Sequence, residues 1–391
     1  MRRWFIVVVV LLTVAGLALA AGPGLAKKKK PIKIGAFFAL SGPAAFIGKP
    51  TELVARMVVA EINKAGGIHG RPIQLIVGDT EGRPPKAVSI AKKFIYQDKV
   101  VAVIGPTRTG TGMAVKKLFE KAKIPVFMTV GGDPVIMGGR FGTYKWVFKS
   151  PQRSSTAITV LLTYLKRHKL TRIGILTAND GFGRDGARWL AKLAPKFGVK
   201  IVASETFGAR DVDMKPQLTK IKAVKVQAIV CWTIGAAGSM VAKNRAQLGI
   251  KAPLFQCHGL PDPKYIELAG KASNGNLMPA TKLLVAAQLP ASDPQKPVIL
   301  KFIKLYKKYG YDKQFPINAH SAYAWDAIMI VARALRKAGT NPAKLRAAIE
   351  KTRNYVGVSG TYNLTPTDHN GLGTDSMVML KIVGNKWMLA K

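Results

Sequence analysis

Ile32-Lys33-Ile34-Gly35-Ala36-Phe37-Phe38 is a short apolar run, and the stretch from Thr51 to Ala65 follows it with a different period. The first reads as a β-strand. In the second, Leu53, Val54, Met57, Val58 and Ile62 fall on one helical face, and Gly66-Gly67 stops the helix. The same rhythm continues outward. Strand Ile73 to Gly78 precedes helix Pro85 to Tyr96, strand Val100 to Ile104 precedes helix Gly112 to Lys121, and strand Pro125 to Thr129 closes the series. Such alternation predicts a parallel sheet with helices on both faces.

After Ser150-Pro151-Gln152 the rhythm restarts. Helix Ser155 to Arg167 leads to strand Arg172 to Thr177, helix Gly183 to Phe197, strand Lys200 to Phe207 and helix Met214 to Val224. Strand Ala228 to Trp232, helix Ala236 to Leu248 and strand Pro253 to Gln256 complete it. A Pro-containing segment around Asn276 to Leu283 precedes helices Lys296 to Tyr309 and Ala319 to Ala338, and the tail has strand-like pieces Met377 to Ile382 and Lys386 to Leu389. The expected fold class is α/β, with two Rossmann-like lobes. Ligands of such sheets bind beyond the carboxyl ends of the strands, so two facing sheets would make a cleft.

The amino terminus has the form of an export signal. Met1-Arg2-Arg3-Trp4 is a basic lead, Phe5 to Ala20 is apolar, and Ala18-Leu19-Ala20 and Gly24-Leu25-Ala26 are small-residue cleavage sites. The alternative is an uncleaved anchor, although about 16 apolar residues fall short of the ~20 that a spanning helix needs. No cysteine follows the run, which excludes a lipoprotein anchor there, and no later stretch is apolar enough to span. Residues 1–26 are therefore read as a signal peptide and the remainder as a soluble periplasmic or extracytoplasmic protein.

With 391 residues, 48% of them apolar, the chain is long enough for two cores. Two cysteines, Cys231 and Cys257, exclude a disulfide scaffold. Each ends a strand-like run, and they are read either as one bridge or as two buried thiols. The formal net charge of +41 invites a nucleic-acid reading. Against it, Lys and Arg are spread along the whole chain, and neither a zinc-finger spacing nor an aromatic-rich RNA motif is present. The one dense block, Lys27 to Lys30, reads as a solvated tail.

Catalytic and metal signals are thin. Cys257-His258 are adjacent in sequence, a poor geometry for a thiolate–imidazole pair, and no G-x-S-x-G elbow occurs. The histidines at 69, 168, 258, 320 and 369 form no H-x-x-x-H or H-E-x-x-H spacing, so neither a metal nor a cofactor is expected. The loop Gly105-Pro106-Thr107-Arg108-Thr109-Gly110-Thr111-Gly112 is more informative. It follows a strand and opens a helix, so that free N–H groups and threonine hydroxyls can gather around an anion. Thr111 stands where a P-loop needs Lys, which argues against ATP. The alternative is a plain Gly/Thr-rich helix cap.

Ser41-Gly42-Pro43-Ala44-Ala45-Phe46-Ile47-Gly48, Glu61-Ile62-Asn63-Lys64-Ala65-Gly66-Gly67-Ile68-His69-Gly70 and Val103-Ile104-Gly105-Pro106 resemble the type I solute-binding proteins of ABC importers. The closer resemblance is to the branched-chain amino acid-binding (Leu/Ile/Val-binding) group. It runs from about Ile32 to the carboxyl terminus, through Asp180-Gly181-Phe182-Gly183 and Thr365-Pro366-Thr367-Asp368-His369-Asn370. The resemblance implies two lobes joined by a three-crossing hinge, near Phe148 to Pro151, Asn276 to Leu283 and Tyr355 to Tyr362. The first lobe is then 27–149 plus 280–357 and the second 150–279 plus 358–391.

For the site, the resemblance implies Ser41, Phe46, Thr107, Thr109, Gly131, Gly132, Phe182, Trp232, Thr233, Ile234 and His258. Thr109 matches a hydroxyl donor to the ligand carboxylate. Gly131-Gly132 stand where the family has Ala-Thr, so one hydroxyl contact is missing. Phe182 replaces a tyrosine packed on the solute; the alternative is a core phenylalanine. At the His258 position amino acid-binding relatives carry an acid that pairs with the ligand ammonium. An imidazole cannot replace that charge, which argues for an acid without the amino group; the alternative is a histidine packed beside the cleft. The implied function is capture of a small carboxylate by cleft closure and delivery to membrane permease subunits. The protein is expected to act as a monomer without nucleic acid. A soluble sensor for a signalling partner is the alternative, and an enzyme is a weaker third.

Overall fold

A computed structural model describes residues 29–138, 142–208 and 211–390. Residues 1–26, read from the sequence as a signal peptide, lie outside the described residues. Strand β1 (Ile32–Phe38) is exposed only at Lys33, as expected of a strand with neighbours on both edges and layers on both faces. It lies between β2 (Ile73–Asp79) and β3 (Ala102–Ile104), and β4 (Val126–Met128) and β5 (Val147–Lys149) extend the sheet in the order β2-β1-β3-β4-β5, parallel throughout.

The strand period of two assigns each face its own core. Ile34, Ala36, Phe38, Phe127 and Phe148 pack with helices α1 (Ala45–Lys64) and α10 (Ser321–Ala338). Phe37, Val103, Val126 and Met128 pack on the other face with α2 (Pro84–Lys92) and α3 (Thr109–Ala122). Helix α1 begins six residues before the expected Thr51 and runs through Pro50. Pro50 is the sixth helical residue, so it removes one i→i−4 hydrogen bond, and the helix continues past it.

The second sheet has the order β14-β13-β10-β9-β8-β6-β7. Strands β6 (Arg172–Ala178), β7 (Lys200–Phe207), β8 (Ala228–Trp232), β9 (Leu254–Gln256) and β10 (Leu277–Ala280) are parallel. β13 (Val378–Val383) and β14 (Lys386–Leu389) add an antiparallel edge. Helices α4 (Ser154–Arg167), α5 (Gly181–Leu193), α6 (Lys215–Ala223), α7 (Ala236–Gln247) and α8 (Pro263–Ala269) cover this sheet. Helices α9 (Gln295–Lys308), α10 and α11 (Pro342–Glu350) return to the first core.

The chain passes between the two cores three times. The first passage follows β5 and the second follows β10. The third differs from the sequence expectation near 355–362. Val358, Tyr362, Leu364 and Leu372 still pack in the first core, and only from Met377 does the chain join the second. A hairpin of β11 (Tyr355–Val356) and β12 (Thr361–Tyr362) causes the delay. The buried Asp326 carboxylate of α10 accepts from Val358 N and Ser359 N, each at 2.8 Å, and pins that hairpin to the first lobe. The passages are tied together, since Gln152 Nε2 donates to Ser359 O (2.6 Å) and Asn370 Nδ2 to Pro151 O (2.7 Å).

Candidate functional site

The first wall of the cleft is built from the ends of β1, β3 and β4. Gly105 has φ +99°, and a Cβ there would lie 2.2 Å from Phe37 O, so the loop leaving β3 can hug β1. The hydroxyls here have structural tasks: Thr107 Oγ1 accepts from Ala39 N (3.0 Å), Thr111 Oγ1 donates to Arg108 O (2.7 Å), and Thr129 Oγ1, after β4, donates to Pro106 O (3.0 Å). Helix α3 then starts at Thr109. The N–H groups of Thr109, Gly110 and Thr111 have no acceptor within the helix, and their dipoles favour an anion in front of them. Thr109 Oγ1 accepts from Gly132 N at 3.3 Å, which leaves its proton for a ligand.

The second wall is aromatic. Asp180 caps α5, its Oδ1 accepting from Phe182 N (2.9 Å) and Gly183 N (2.8 Å), and so fixes where Phe182 starts its turn. Phe182, Trp232 and His258 form a cluster with ring centroids 5.4 to 5.8 Å apart. Trp232, fully buried, stands one layer behind the other two and does not reach the cavity.

The walls meet. A Cβ on Gly131 would lie 2.9 Å from both His258 Nε2 and Phe182 Cε2, so only glycine lets these rings approach. Arg108 Nη2 bonds Asp180 Oδ2 across the cleft at 3.1 Å. On the other side, Asn318 Nδ2 donates to Asp262 Oδ2 (2.9 Å) and Ala319 N to Pro261 O (3.1 Å). Between the walls lies a cavity of 260 Å³, lined by Thr107, Thr109, Gly131, Phe182, Ile234 and His258 among others. That is near the lower end of the ~300–1,000 Å³ usual for small-molecule sites. Ser41, Phe46 and Thr233 line instead an outer chamber of 670 Å³ that shares Arg108, Asp180 and Ile234 with the inner one. The Ser41 hydroxyl is engaged with Asp79 Oδ2 at 2.6 Å. Gly132 reaches neither chamber, its amide being turned to Thr109.

Four cavity or near-cavity groups escaped sequence reasoning. Arg108 and Tyr323 line the cavity, as does His320, while Lys149 stands behind Gly131. Lys149 is fully buried. Its ammonium donates to Gly131 O (2.7 Å) and Gln152 O (2.9 Å), with Asp133 Oδ1 at 3.8 Å, and burial lowers its pKa to about 8. Burial, with the Lys149 charge next in weight, lowers His258 to about 3. The imidazole is therefore neutral, and neither ring nitrogen has a hydrogen-bond partner among the described residues. Burial likewise lowers His320 to about 4 and raises the Tyr323 hydroxyl.

The charged side chains on the inner wall are Arg108, Arg184 and Asp180. Asp180 is the only acid among them, and both its oxygens are taken. Asp133 is buried outside the cavity, where it accepts from Ser154 N (2.6 Å) and Ser155 Oγ (2.7 Å). Glu81 belongs to the outer chamber and pairs with Lys86 at 2.7 Å. Cys231 and Cys257 are free and buried, which decides between the two sequence readings. Among the described residues, no group of three or more His, Cys, Asp or Glu is placed to hold a metal ion, and no helix is long and apolar enough to cross a membrane.

Two parallel-sheet lobes, tied by three passages and closed on a small cavity, define a hinged solute-binding protein. Residues 31–386 match the periplasmic binding protein family, and the chain belongs to it, within the type I, branched-chain amino acid-binding group. The family consists of periplasmic solute-binding proteins, not enzymes. Among curated relatives, a leucine-, isoleucine-, valine-, threonine- and alanine-binding protein of Pseudomonas aeruginosa is 24% identical over 86% of each chain. An extracellular ligand-binding receptor from Rhodopseudomonas palustris superposes with a TM-score of 0.84 at 25% identity, covering 93% of this chain and 99% of that one. The isoleucine complex of a Streptococcus pneumoniae branched-chain amino acid-binding protein shares the fold, with a TM-score of 0.78 at 23% identity over 92% and 99% of the chains.

Proposed function

We propose that the protein is the solute-binding component of an ABC importer and captures a small carboxylic acid that lacks an α-ammonium group, with an aliphatic or aromatic body. The single observation that carries this reading is the engagement of Asp180. Its Oδ1 caps α5 and its Oδ2 holds Arg108, so the inner cavity offers an ammonium no free carboxylate. An unpaired buried ammonium costs several kcal/mol. A carboxylate, in contrast, finds the amino end of α3 and the Thr109 hydroxyl, and an apolar body finds Phe182 and Ile234. Closure of the two walls then favours the ligand-bound state, and the closed form is what membrane permease subunits would recognise.

The test compares leucine with 4-methylpentanoate, the same skeleton without the amino group, by calorimetry on the mature protein, with phenylacetate as an aromatic probe. At least one of the two acids should bind at least about a hundredfold tighter than leucine, the equivalent of about 2.7 kcal/mol. Tight leucine binding would return the chain to the amino acid-binding relatives.

A further inference from the structure

The basic residues look dispersed in sequence, but folding brings a group of them to one pole of the first lobe, at the amino end of β1 and away from the cleft. Three helices end there. Tyr309, which closes α9, donates to Glu61 in the last turn of α1 at 2.9 Å, and His69, just after α1, bonds the Arg336 carbonyl at the end of α10 at 2.8 Å. Lys29 Nζ donates to His69 O (2.9 Å) and Arg71 Nε to Lys30 O (2.8 Å). The pole thus gathers Lys29, Lys64, Arg71, Lys307, Arg336 and Lys337, all exposed except the half-buried Arg71. Among the described residues none of the six forms an ion pair.

Compensation of helix dipoles does not account for this. Each helix carboxyl end is equivalent to about −0.5 charge, so three ends offset only about a quarter of six cations. Glu61, which accepts from Tyr309, keeps one negative charge at the pole, and Asp98, whose carbonyl takes Lys33 Nζ at 3.3 Å, is paired with Lys93 at 2.8 Å, so the six cations remain in excess. Two residues before Asp98, the aromatic Tyr96 is 66% exposed. Lys27 and Lys28 adjoin the pole in sequence.

We infer that this pole is an electrostatic docking surface for an anionic phospholipid membrane. Clusters of four to eight Lys and Arg are what anionic headgroups attract. Adsorption there holds the protein beside the membrane in which a permease resides and leaves the cleft free to open and close. The contact involves no buried apolar surface, so it is reversible and screened by salt.

Flotation with vesicles of phosphatidylglycerol and phosphatidylcholine, against phosphatidylcholine alone, tests it at low and at high salt. The full mature chain is compared with a K64E/R336E/K337E variant and with a charge-matched K196E/K222E/K251E variant of the second lobe. The wild type and the second-lobe variant should float with anionic vesicles at low salt only, and the pole variant should lose at least about tenfold in partitioning. The milder K64Q/R336Q/K337Q variant should lose less, and it carries the test if the charge reversal fails to fold. Equal loss in both charge-reversed variants, no dependence on anionic lipid, or stronger binding to a short DNA duplex with no effect of the pole variant would overturn the inference.

Discussion

The strand-end loops of the two lobes bring different materials to the cleft. The first lobe presents backbone amides, glycines and hydroxyls already tied to neighbouring loops, with a buried lysine as support. The second presents rings, Phe182 and His258, backed by Trp232 and carried on separate strand ends. The loops of the first wall are polar and locally tied, although His320 and Tyr323 at the amino end of α10 add rings to that side. Phe182, Ile234 and the neutral His258 of the second wall gain most when water leaves the cleft, while Asp180 and Arg184 stand beside them. Their fit depends on Gly131, where a side chain would collide with both rings.

The largest way to break this contrast is to remove the support of the polar wall. Lys149→Ala leaves Gly131 O and Gln152 O without their donor and strands the Asp133 carboxylate nearby. Removing one partner from a buried charged cluster should cost about 3–5 kcal/mol, read as a lower urea midpoint. An unchanged midpoint would mean that Lys149 is not the prop described.

Gly131→Val addresses the meeting of the walls. Overpacking against Phe182 and His258 should remove about 1–3 kcal/mol of ligand affinity in calorimetry. Because the clash lies between the lobes and not inside either core, the melting temperature without ligand should change less than the affinity. Wild-type affinity in this variant would show that the rings do not seat on Gly131 in the bound state.

The pH response sharpens the apolar side. Folded His258 takes its proton only near pH 3, against 6.5 for the ordinary side chain, and His320 only near 4. Between those values the unfolded chain holds the extra protons. The contribution of these two histidines is therefore complete above about 6.5 and falls as pH drops, by up to about 1.4 kcal/mol per pH unit each, while Asp262 and Asp326, which burial raises to about 6, contribute with the opposite sign. Relative to wild type, His258→Gln should gain stability in urea unfolding as pH falls from 6 to 4; an identical slope in the two proteins would place the titration elsewhere.

The smallest effect belongs to the Arg108–Asp180 bridge, whose side chains are 26% and 22% exposed. Arg108→Gln should shift stability by less than about 1 kcal/mol. It also frees Asp180 Oδ2, so leucine affinity should rise above that of the wild type. No gain in leucine binding would show that Asp180 cannot reach a ligand ammonium.

Much of this architecture was legible in the residues themselves. β1, β7, β8 and β14 have the expected bounds, because short apolar runs between glycine and charged turns leave little freedom. Other elements were not legible. β10 contains Pro279, which weakens a strand signal, yet its antiparallel partner β13 holds it in the sheet. The third passage moved later because Asp326, a single buried carboxylate far away in sequence, captures the hairpin.

At the site the division is similar. The loop from Gly105 to Gly112 announces an anion-facing helix end, because a strand, glycines and threonines in succession are a local pattern. That Asp180 is used up by Arg108, that Trp232 stands behind the cavity, and that Ser41 and Phe46 face the outer chamber could not be read in the same way. The sequence by itself determined the α/β alternation, the two cores and the polar loop, since each follows from hydrophobic period and turn chemistry within a few residues. Only the tertiary structure decided which charges are spent, which aromatic groups meet Gly131 and where the basic residues gather. Those outcomes depend on contacts between segments far apart in sequence, 72 residues for Arg108 and Asp180 and 248 for Glu61 and Tyr309, and no local period encodes which partner a side chain will meet.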